Sequence, residues 1–257
     1  MEKQKQIAAF FDIDGTLTTG ASLERRLAWA LARRREISAT SCAQWLLECA
    51  RLAPMGLATM TQRNKRYLAG ITVHAATKAR AHAPAELLPL AMDRIAWHAR
   101  QGHRIVLISG TLEFLADEAR EKIESVLVAR GLVADLNVRA TRLESRQGRW
   151  TGRLLGEPVY GEEKARVVRE VAYMGAIDLA LSYAYGNAAS DRWMLETVGK
   201  PAAVNADRRL ARIAARNAWP LLKWIPNAGD RMDMMPLRRS RIWHGNGAMR
   251  GRTENGQ

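Results

Sequence analysis

The stretch IAAFFDIDGTLT, residues 7–18, carries the pattern that decides the fold. Its first five residues are apolar, which is typical of a strand buried on both faces of a parallel sheet. The run ends at Asp12, and a second carboxylate follows at Asp14 before Gly15, which permits a sharp turn. Two carboxylates so placed can hold Mg²⁺, with one attacking phosphorus and the other moving protons. An EF-hand fragment or a capping turn fits less well, because the EF-hand glycine follows further oxygen ligands.

Helices and strands are predicted outward from this stretch by the spacing of apolar residues. Residues 22–98 space their apolar side chains helically, with breakers that separate about four helices. Beyond them strands alternate with helices, and one hairpin is predicted from 137–144 and 149–155. The predicted later strands cover 104–108, 181–185 and 201–205, and the predicted helices cover 86–100, 111–130, 162–174, 190–198 and 207–217. This alternation predicts an α/β fold with a Rossmann-like parallel sheet and helices on both faces.

The helical block then becomes an insertion after the first strand, and it divides the chain. We predict a discontinuous core from residues 1–20 and 96–225, with an all-helical cap from residues 21–95 over the carboxyl edge of the sheet. Residues 226–257 are rich in Arg, Gly, Met and Asn without periodicity. We expect this basic tail to be disordered.

The charge of the chain indicates anionic partners. Lys and Arg number 40 against 26 Asp and Glu, a net charge of +14, and such an excess favours phosphorylated small molecules, acidic membranes or nucleic acid. The cap carries much of it, in Arg25, Arg26, Arg33, Arg34, Arg35, Arg63, Lys65 and Arg66. The favoured interpretation is a solvated basic helix face with core tryptophans at Trp29 and Trp45, and the alternative is peripheral contact with an anionic membrane. Nucleic acid is disfavoured, because no basic stripe is interleaved with aromatic residues.

The cysteine content and the hydropathy pattern exclude several classes of protein. Cys42 and Cys49 form no disulfide framework and match no zinc spacing, so we expect buried free thiols on one helix face. The longest run without a charged residue, 179–190, has 12 residues, which is shorter than the roughly 18 of a membrane span. The first residues show no apolar stretch typical of a secretory signal. We expect a cytoplasmic protein.

Three further segments place polar groups at the same edge of the predicted sheet, where ligands bind in such folds. Ser109-Gly110-Thr111 follows a strand and offers a hydroxyl and backbone N–H groups at a helix start, either as a phosphate seat or as an ordinary helix cap. Lys164 lies near the start of another helix and on its own would be a surface lysine. The segment GNAASD, residues 186–191, offers the amide of Asn187 and the carboxylate of Asp191.

In order and position these segments together resemble the haloacid dehalogenase superfamily, and specifically its phosphatase subfamily IB, the phosphoserine phosphatase-like group. The resemblance covers about residues 7–225 and rests on FFDIDGTLT, GHRIVLISGT, YGEEKARVV and SYAYGNAASDRWMLETVGK. It implies a Mg²⁺-dependent phosphatase that hydrolyses a small phosphomonoester through an aspartyl-phosphate. A phospholipid head group is one substrate class known in this family.

The resemblance also implies residue roles. Asp12 would be the nucleophile, and Asp14 would protonate the leaving alcohol and then activate water. Ser109 and Gly110 would bind the phosphoryl oxygens, and Lys164 would neutralise them and orient the nucleophile. The implied Mg²⁺ ligands are Asp12, the backbone carbonyl of Asp14, Asp191 and Asn187.

Two departures from the family pattern bear on activity and substrate. The fourth motif usually reads GDxxxD, and Asn187 replaces its first acid, so we expect weaker metal binding. Phosphoserine phosphatases typically carry a Glu nine residues after the nucleophile, and here that position is Ala21, which disfavours phosphoserine. The alternatives are a phosphotransferase with an acceptor other than water and a catalytically weakened binding or regulatory protein. The oligomeric state is left open.

Overall fold

The computed structural model describes residues 5–81, 84 and 86–225. The predicted disordered tail, residues 226–257, lies outside the described residues. Eight strands occur in the described part of the chain: β1 Ala8–Phe11, β2 Arg104–Leu112, β3 Leu136–Thr141, β4 Leu143–Arg146, β5 Arg149–Leu154, β6 Tyr183–Gly186, β7 Lys200–Val204 and β8 Leu221–Leu222. Six form one sheet in the order β3-β2-β1-β6-β7-β8, and every neighbouring pair is parallel. The predicted α/β fold is confirmed.

Helices cover both faces of this sheet. The α-helices of the described residues are α1 Leu23–Arg33, α2 Ala39–Leu52, α3 Leu57–Arg63, α4 Val73–Arg80, α5 Pro89–Arg100, α6 Glu113–Ala129, α7 Glu162–Met174, α8 Arg192–Leu195 and α9 Arg208–Arg216. Successive residues of β1 enter opposite apolar layers, because side chains alternate along a strand. Phe11 packs in the layer that includes α1, α5 and α6, and Phe10 packs in the layer formed with α7, α8 and α9.

The insertion after β1 is helical, as predicted, and both of its ends lie beside each other. The backbone N–H of Leu88 donates to the carbonyl of Leu17 at 2.9 Å, and Thr18 forms an antiparallel bridge with Leu87. Helix α5 continues without a break across the predicted boundary at residues 95 and 96 and packs against β2. The division into cap and core stays a prediction.

Inside the insertion, α1 buries one stripe of leucines whereas α2 buries little. Trp29 is 68% exposed and Trp45 is 36% exposed, so the expectation of core tryptophans is wrong. Cys42 is exposed and Cys49 is partly buried, so the expectation of buried thiols is wrong as well. The physical reason is that these side chains face an open cavity between α1 and α2. Among the described residues, no helix has the length and hydropathy needed to cross a bilayer.

Two predicted elements are corrected. Residues 137–144 are not one hairpin strand, because β3 joins the main sheet and β4 alone pairs with β5. No glycine or proline marks the break at Arg142, so the apolar alternation runs through it. Strand β2 continues through a bulge between Ser109 and Leu112, and α6 begins only at Glu113. Ser109 therefore lies in a strand rather than at a helix start.

Candidate active site

One pocket of about 180 Å³ at the carboxyl ends of β1, β2 and β6 collects the polar side chains that the sequence singled out. Parallel strands end at one edge, so residues far apart in the chain meet there. Every predicted site residue lines this pocket: Asp12, Asp14, Ser109, Gly110, Lys164, Asn187 and Asp191.

The pocket is organised around the ammonium group of Lys164. Its Nζ donates to Asp12 Oδ1 and to Asp191 Oδ1, both at 2.6 Å. All three side chains are buried. Lys164 is the third residue of α7, which begins directly after Gly161, so the start of this helix brings the lysine to the ends of β1 and β6. The lysine therefore fixes the position of both carboxylates.

Burial and mutual attraction compete in setting the protonation of these groups. Burial raises the pKa of Asp12 to about 7, although the charge of Lys164 opposes this shift. Burial alone would lower the pKa of Lys164, but the charges of Asp12 and Asp191 outweigh it and raise the pKa above its ordinary value. The lysine is thus held as a cation, and its attraction favours the ionised form of Asp12.

Asp14 is positioned by the first turn of the insertion. Its Oδ1 accepts a hydrogen bond of 2.9 Å from the backbone N–H of Leu23, the first residue of α1. Burial raises the pKa of Asp14, although this hydrogen bond opposes the shift. A carboxyl group whose pKa is raised retains its proton to higher pH and can donate it to a leaving group.

The end of β2 supplies hydroxyl groups. Ser109 Oγ accepts a hydrogen bond of 3.2 Å from the backbone N–H of Thr111, which leaves the serine hydroxyl proton available to a ligand. Thr111 Oγ1 is buried without a partner among the described residues. Buried polar groups normally find a partner, so a hydroxyl without one in this pocket is a candidate donor to a phosphoryl oxygen.

The loop after β6 presents Asn187 and Asp191. The backbone N–H groups of Asn187 and Ala188 both donate to Asp191 Oδ2 at 2.9 Å, which locks this carboxylate. Asn187 Oδ1 lies 3.4 Å from Thr16 Oγ1, and that hydroxyl also lies 3.1 Å from Asp12 Oδ2. The hydroxyl of Thr16 therefore links Asp12, the nucleophile candidate, to the side-chain amide of Asn187.

Comparison with known proteins identifies the family. The description "haloacid dehalogenase-like hydrolase" matches residues 9–196, which is most of the chain. The chain belongs to the haloacid dehalogenase-like hydrolase family. The family match and the names of the relatives together show that the chain is a phosphatase-type hydrolase of that family, similar to phosphoserine phosphatases.

Two curated relatives and one solved structure represent the similarity to this family. An "Inhibition of morphological differentiation protein" of Streptomyces azureus is 32% identical over 228 residues, which cover 84% of this chain and 77% of that protein. "Phosphoserine phosphatase SerB1" of Mycobacterium tuberculosis is 29% identical over 223 residues, covering 83% of this chain and 70% of that protein. A structure titled "Phospho-Aspartyl Intermediate Analogue of Phosphoserine phosphatase" covers 85% of this chain and 94% of its own, with 20% identity and a TM-score of 0.59, and it supports the fold.

Members of the haloacid dehalogenase-like hydrolase family commonly use Mg²⁺, and the oxygen donors of this pocket fit such an ion. Among the described residues no three His, Cys, Asp or Glu side chains cluster as a metal site. The implied ligand set needs only two carboxylates, from Asp12 and Asp191, because Asn187 contributes an amide oxygen and Asp14 a backbone carbonyl. Hard oxygen donors of this kind suit Mg²⁺, which keeps several waters and needs few protein ligands. The pair of Asp12 and Asp191 already holds one cation, the Lys164 ammonium.

Sequence reasoning missed several residues that line the site. Thr16, Glu24 and Gln62 contact it or line it, as do Ser22, Tyr160 and Ser190. Glu24 lies three residues after Ala21, where the family pattern for phosphoserine expects an acid, and nothing in the local sequence signals that a turn of helix carries it into the pocket. Gln62 comes from α3, and its Oε1 is only 3.0 Å from the position that a Cβ on Gly110 would occupy.

Proposed function

We propose that this chain is a Mg²⁺-dependent phosphomonoesterase that works through an aspartyl-phosphate on Asp12. The observation that carries the proposal is the contact of Lys164 with Asp12 in a buried pocket that Asp14 also lines. A nucleophilic carboxylate, a cation beside it and a second carboxyl group with a raised pKa are the groups that phosphoryl transfer needs.

The first step transfers the phosphoryl group to the enzyme. A carboxylate oxygen of Asp12 attacks phosphorus, and the bond between phosphorus and the ester oxygen breaks. The leaving oxygen takes the proton of Asp14, so that an alcohol departs. Lys164 and the hydroxyls of Ser109 and Thr111 stabilise negative charge on the three non-bridging oxygens, which is the main source of catalysis in such reactions.

The second step returns the enzyme to its starting form. Asp14, now ionised, removes a proton from a water molecule as its oxygen attacks phosphorus. The bond between phosphorus and Asp12 breaks, and inorganic phosphate leaves. The two steps use one carboxyl group first as acid and then as base, as microscopic reversibility requires.

Mg²⁺ would be held by Asp12, Asp191, the carbonyl of Asp14 and Asn187, and it would supply positive charge to the phosphoryl oxygens. The amide of Asn187 has no charge, so we propose that this chain binds the ion less tightly than relatives with a third acid. The backbone N–H groups that hold Asp191 keep one ligand in place whether or not the ion is bound.

Several finer points stay predictions. Transfer to an acceptor other than water uses the same groups. Phosphoserine is disfavoured by Ala21, and Glu24, the acid that does reach the site, is already paired with Lys65. A phospholipid head group as substrate, contact with an anionic membrane and a cytoplasmic location each stay predictions as well.

The proposal is tested by the hydrolysis of p-nitrophenyl phosphate with Mg²⁺ and with EDTA. We expect turnover that needs Mg²⁺ and is lost in Asp12→Asn, because the amide is a poor nucleophile. The matched control is Asp117→Asn, a carboxylate on α6 that pairs with Arg120 at the surface, and it should leave turnover unchanged. Acid quenching during turnover of a ³²P-labelled substrate should trap label on the wild-type protein.

The outcomes separate the alternatives. Turnover that persists in Asp12→Asn would overturn the aspartyl-phosphate. Label that passes to added glycerol faster than to water would favour the phosphotransferase. Tight binding of phosphate esters without any turnover would favour the weakened binding protein.

A further inference from the structure

The site of the proposed phosphatase adjoins a second and larger cavity. This cavity, here called the cap cavity, measures about 770 Å³ against about 180 Å³ for the catalytic pocket. The two share Ser22, Glu24 and Gln62 as walls. The cap cavity therefore lies beside the pocket in which a phosphate ester would be bound at Asp12.

The walls of the cap cavity are chiefly apolar. They come from α1, α2 and α3 and the loop between α1 and α2, and the apolar side chains are Ala28, Trp29, Ala32, Ile37, Trp45 and Met60. The two cysteines, Cys42 and Cys49, add soft sulfur groups to the same wall. Indole and aliphatic surface left open to water at this scale commonly marks a ligand site.

Apart from Arg25, whose exposed side chain brings a positive charge to the rim, the polar groups in these walls are largely occupied by the protein itself. Asn64 Nδ2 donates to the carbonyl of Trp45 and to Cys49 Sγ. The two carboxylate oxygens of Glu24 accept from Lys65 Nζ at 2.6 and 2.7 Å, and the Tyr67 hydroxyl donates to one of them. A small zwitterionic leaving group would have to displace a lysine that is 1% exposed.

One polar atom at the junction is different. Gln62 Oε1 is buried and has no hydrogen-bond partner among the described residues. It lies between the catalytic pocket and the cap cavity, where it can accept a hydrogen bond from a hydroxyl close to the phosphate. The junction thus offers one acceptor, and an apolar space follows it.

We propose that the cap cavity binds the leaving group, and that the substrates are phosphate monoesters of large apolar alcohols. This inference rests on the proposed function, and it adds the substrate class. A volume of this size is within the range of sites that bury drug-sized ligands. Each methylene that moves from water into the cavity should improve binding about fourfold.

The test is a series of n-alkyl phosphates from ethyl to decyl, assayed below their micelle concentrations with Mg²⁺. We expect kcat/KM to rise with chain length by at least a hundredfold over the series. Naphthyl phosphate is assayed beside decyl phosphate, because a preference for one of them tells an aromatic alcohol from a long aliphatic one. A flat series, with turnover that still needs Asp12, would overturn the inference and leave the proposed function in place.

A variant that fills the cap cavity tests where the alkyl chain of the substrate binds. Ala32 lies on the exposed side of α1 in the cavity wall, so Ala32→Trp should fold and should lower the ratio of decyl to ethyl turnover at least tenfold. Ala43→Trp places the same side chain at an exposed site on α2 outside the wall and should leave that ratio unchanged. Equal ratios of decyl to ethyl turnover in the two variants would mean that the alkyl chain binds elsewhere, and would overturn the inference.

Binding can be measured without turnover. Decylphosphonate and ethylphosphonate, which are not hydrolysed, are titrated into Asp12→Asn and into Asp12→Asn/Ala32→Trp by calorimetry. If decylphosphonate binds much more tightly than ethylphosphonate, and Ala32→Trp removes this difference, the cap cavity is supported as the binding site. This holds even if the protein hydrolyses none of the esters, in which case the proposed function fails and the inference about the cap cavity stands. Equal binding of the two phosphonates would overturn the inference.

Discussion

At Asn187 an uncharged amide stands where the motif GDxxxD of the resemblance has its first acid, and its surroundings show how it is held. Its side chain packs against Gly15, and its Oδ1 lies near Thr16 Oγ1. The amide oxygen is linked to Asp12 through the Thr16 hydroxyl, but it brings no charge to a cation.

The change Asn187→Asp tests this position. We expect the Mg²⁺ concentration for half-maximal activity to fall about tenfold, which corresponds to ~1.4 kcal/mol, because a further negative charge attracts the ion. Titration of phosphatase activity with Mg²⁺ measures the effect, and Asn187→Ala should move the midpoint upward. A midpoint that is the same in all three proteins would show that residue 187 does not bind the ion.

Gly15 has a positive φ of 84° and no room for a side chain. A Cβ there would lie 2.1 Å from Asn187 Nδ2. We expect Gly15→Ala to lower the free energy of unfolding by about 2–4 kcal/mol, since it combines a left-handed backbone with a collision.

Gly131→Ala is the matched control, because Gly131 also has a positive φ and a Cβ there would meet nothing within 4 Å. It carries the backbone penalty alone, of about 1 kcal/mol. Urea denaturation of both variants gives the difference. Equal losses of stability would mean that the loop at Asn187 moves aside without strain.

At the scale of elements, the insertion is held together by a buried ion pair. Lys65, which follows α3, reaches Glu24 in the first turn of α1, and its Nζ also donates to the carbonyl of Thr61. The lysine is almost fully buried, whereas the glutamate side chain is 20% exposed.

Leaving the buried lysine unpaired should therefore cost more stability than leaving the partly exposed glutamate unpaired. We expect Glu24→Gln to lower the free energy of unfolding by about 3–5 kcal/mol, because it leaves a buried ammonium unpaired. Lys65→Met should be milder, and the double variant should recover much of the loss. A double-mutant cycle in urea measures this, and additive effects would contradict the pairing.

Helix α5 and strand β6 meet through His98. Its Nε2 lies 2.9 Å from the Tyr185 hydroxyl, and its Nδ1 lies 2.9 Å from His103 Nδ1, so one proton is shared between the two rings. Burial and then the neighbouring His103 lower the pKa of His98 from 6.5 to about 2.

This shift predicts a dependence of stability on pH. The folded protein keeps His98 neutral while the unfolded chain binds a proton below pH 6.5, so stability is present above that pH and is lost as the pH falls. Relative to His98→Gln, the wild-type protein should lose up to about 1.4 kcal/mol per pH unit between pH 6 and pH 4. Denaturant midpoints across this range measure it, and parallel curves would show that another group dominates.

The elements differ in how well the sequence predicts them. The apolar runs of β1, β6 and β7 and the helix α7 are predicted nearly as the structure has them, because burial on both faces leaves an uninterrupted apolar signal. The break between β3 and β4 at Arg142 carries no turn residue. The bulge in β2 follows from pairing with β3, which is a property of the sheet and not of the local sequence.

At the scale of the whole molecule, the sequence predicts those site residues whose positions follow from the topology of the sheet. Asp12 and Asp191 follow parallel strands, and Ser109 lies in β2 directly before its bulge. The carboxyl ends of such strands meet at one edge. Glu24 and Gln62 were not predictable, since no periodic rule states how the helices of an insertion pack over that edge. The exposure of Trp29 was not predictable for the same reason, because it also depends on how these helices pack.

Binding of Mg²⁺ should stabilise the whole protein, because the unfolded chain lacks the assembled ligands. We expect the free energy of unfolding to rise by about 2.7 kcal/mol at a concentration one hundred times the dissociation constant. Thermal melting with and without Mg²⁺ measures this, and Asp191→Asn should remove most of the increase. Equal increases in the two proteins would indicate nonspecific binding.

The paired ends of the insertion have a consequence for how such a protein can change over generations. Because Thr18 and Leu87 lie side by side, an insertion of another length can begin and end at the same two points while β1 and α5 stay where they are. A replacement must supply a donor in place of the Leu23 N–H that holds Asp14, and pocket walls in place of Ser22, Glu24 and Gln62. Under the proposed function, new leaving groups can therefore be recruited by grafting while Asp12, Lys164 and Asp191 keep their places.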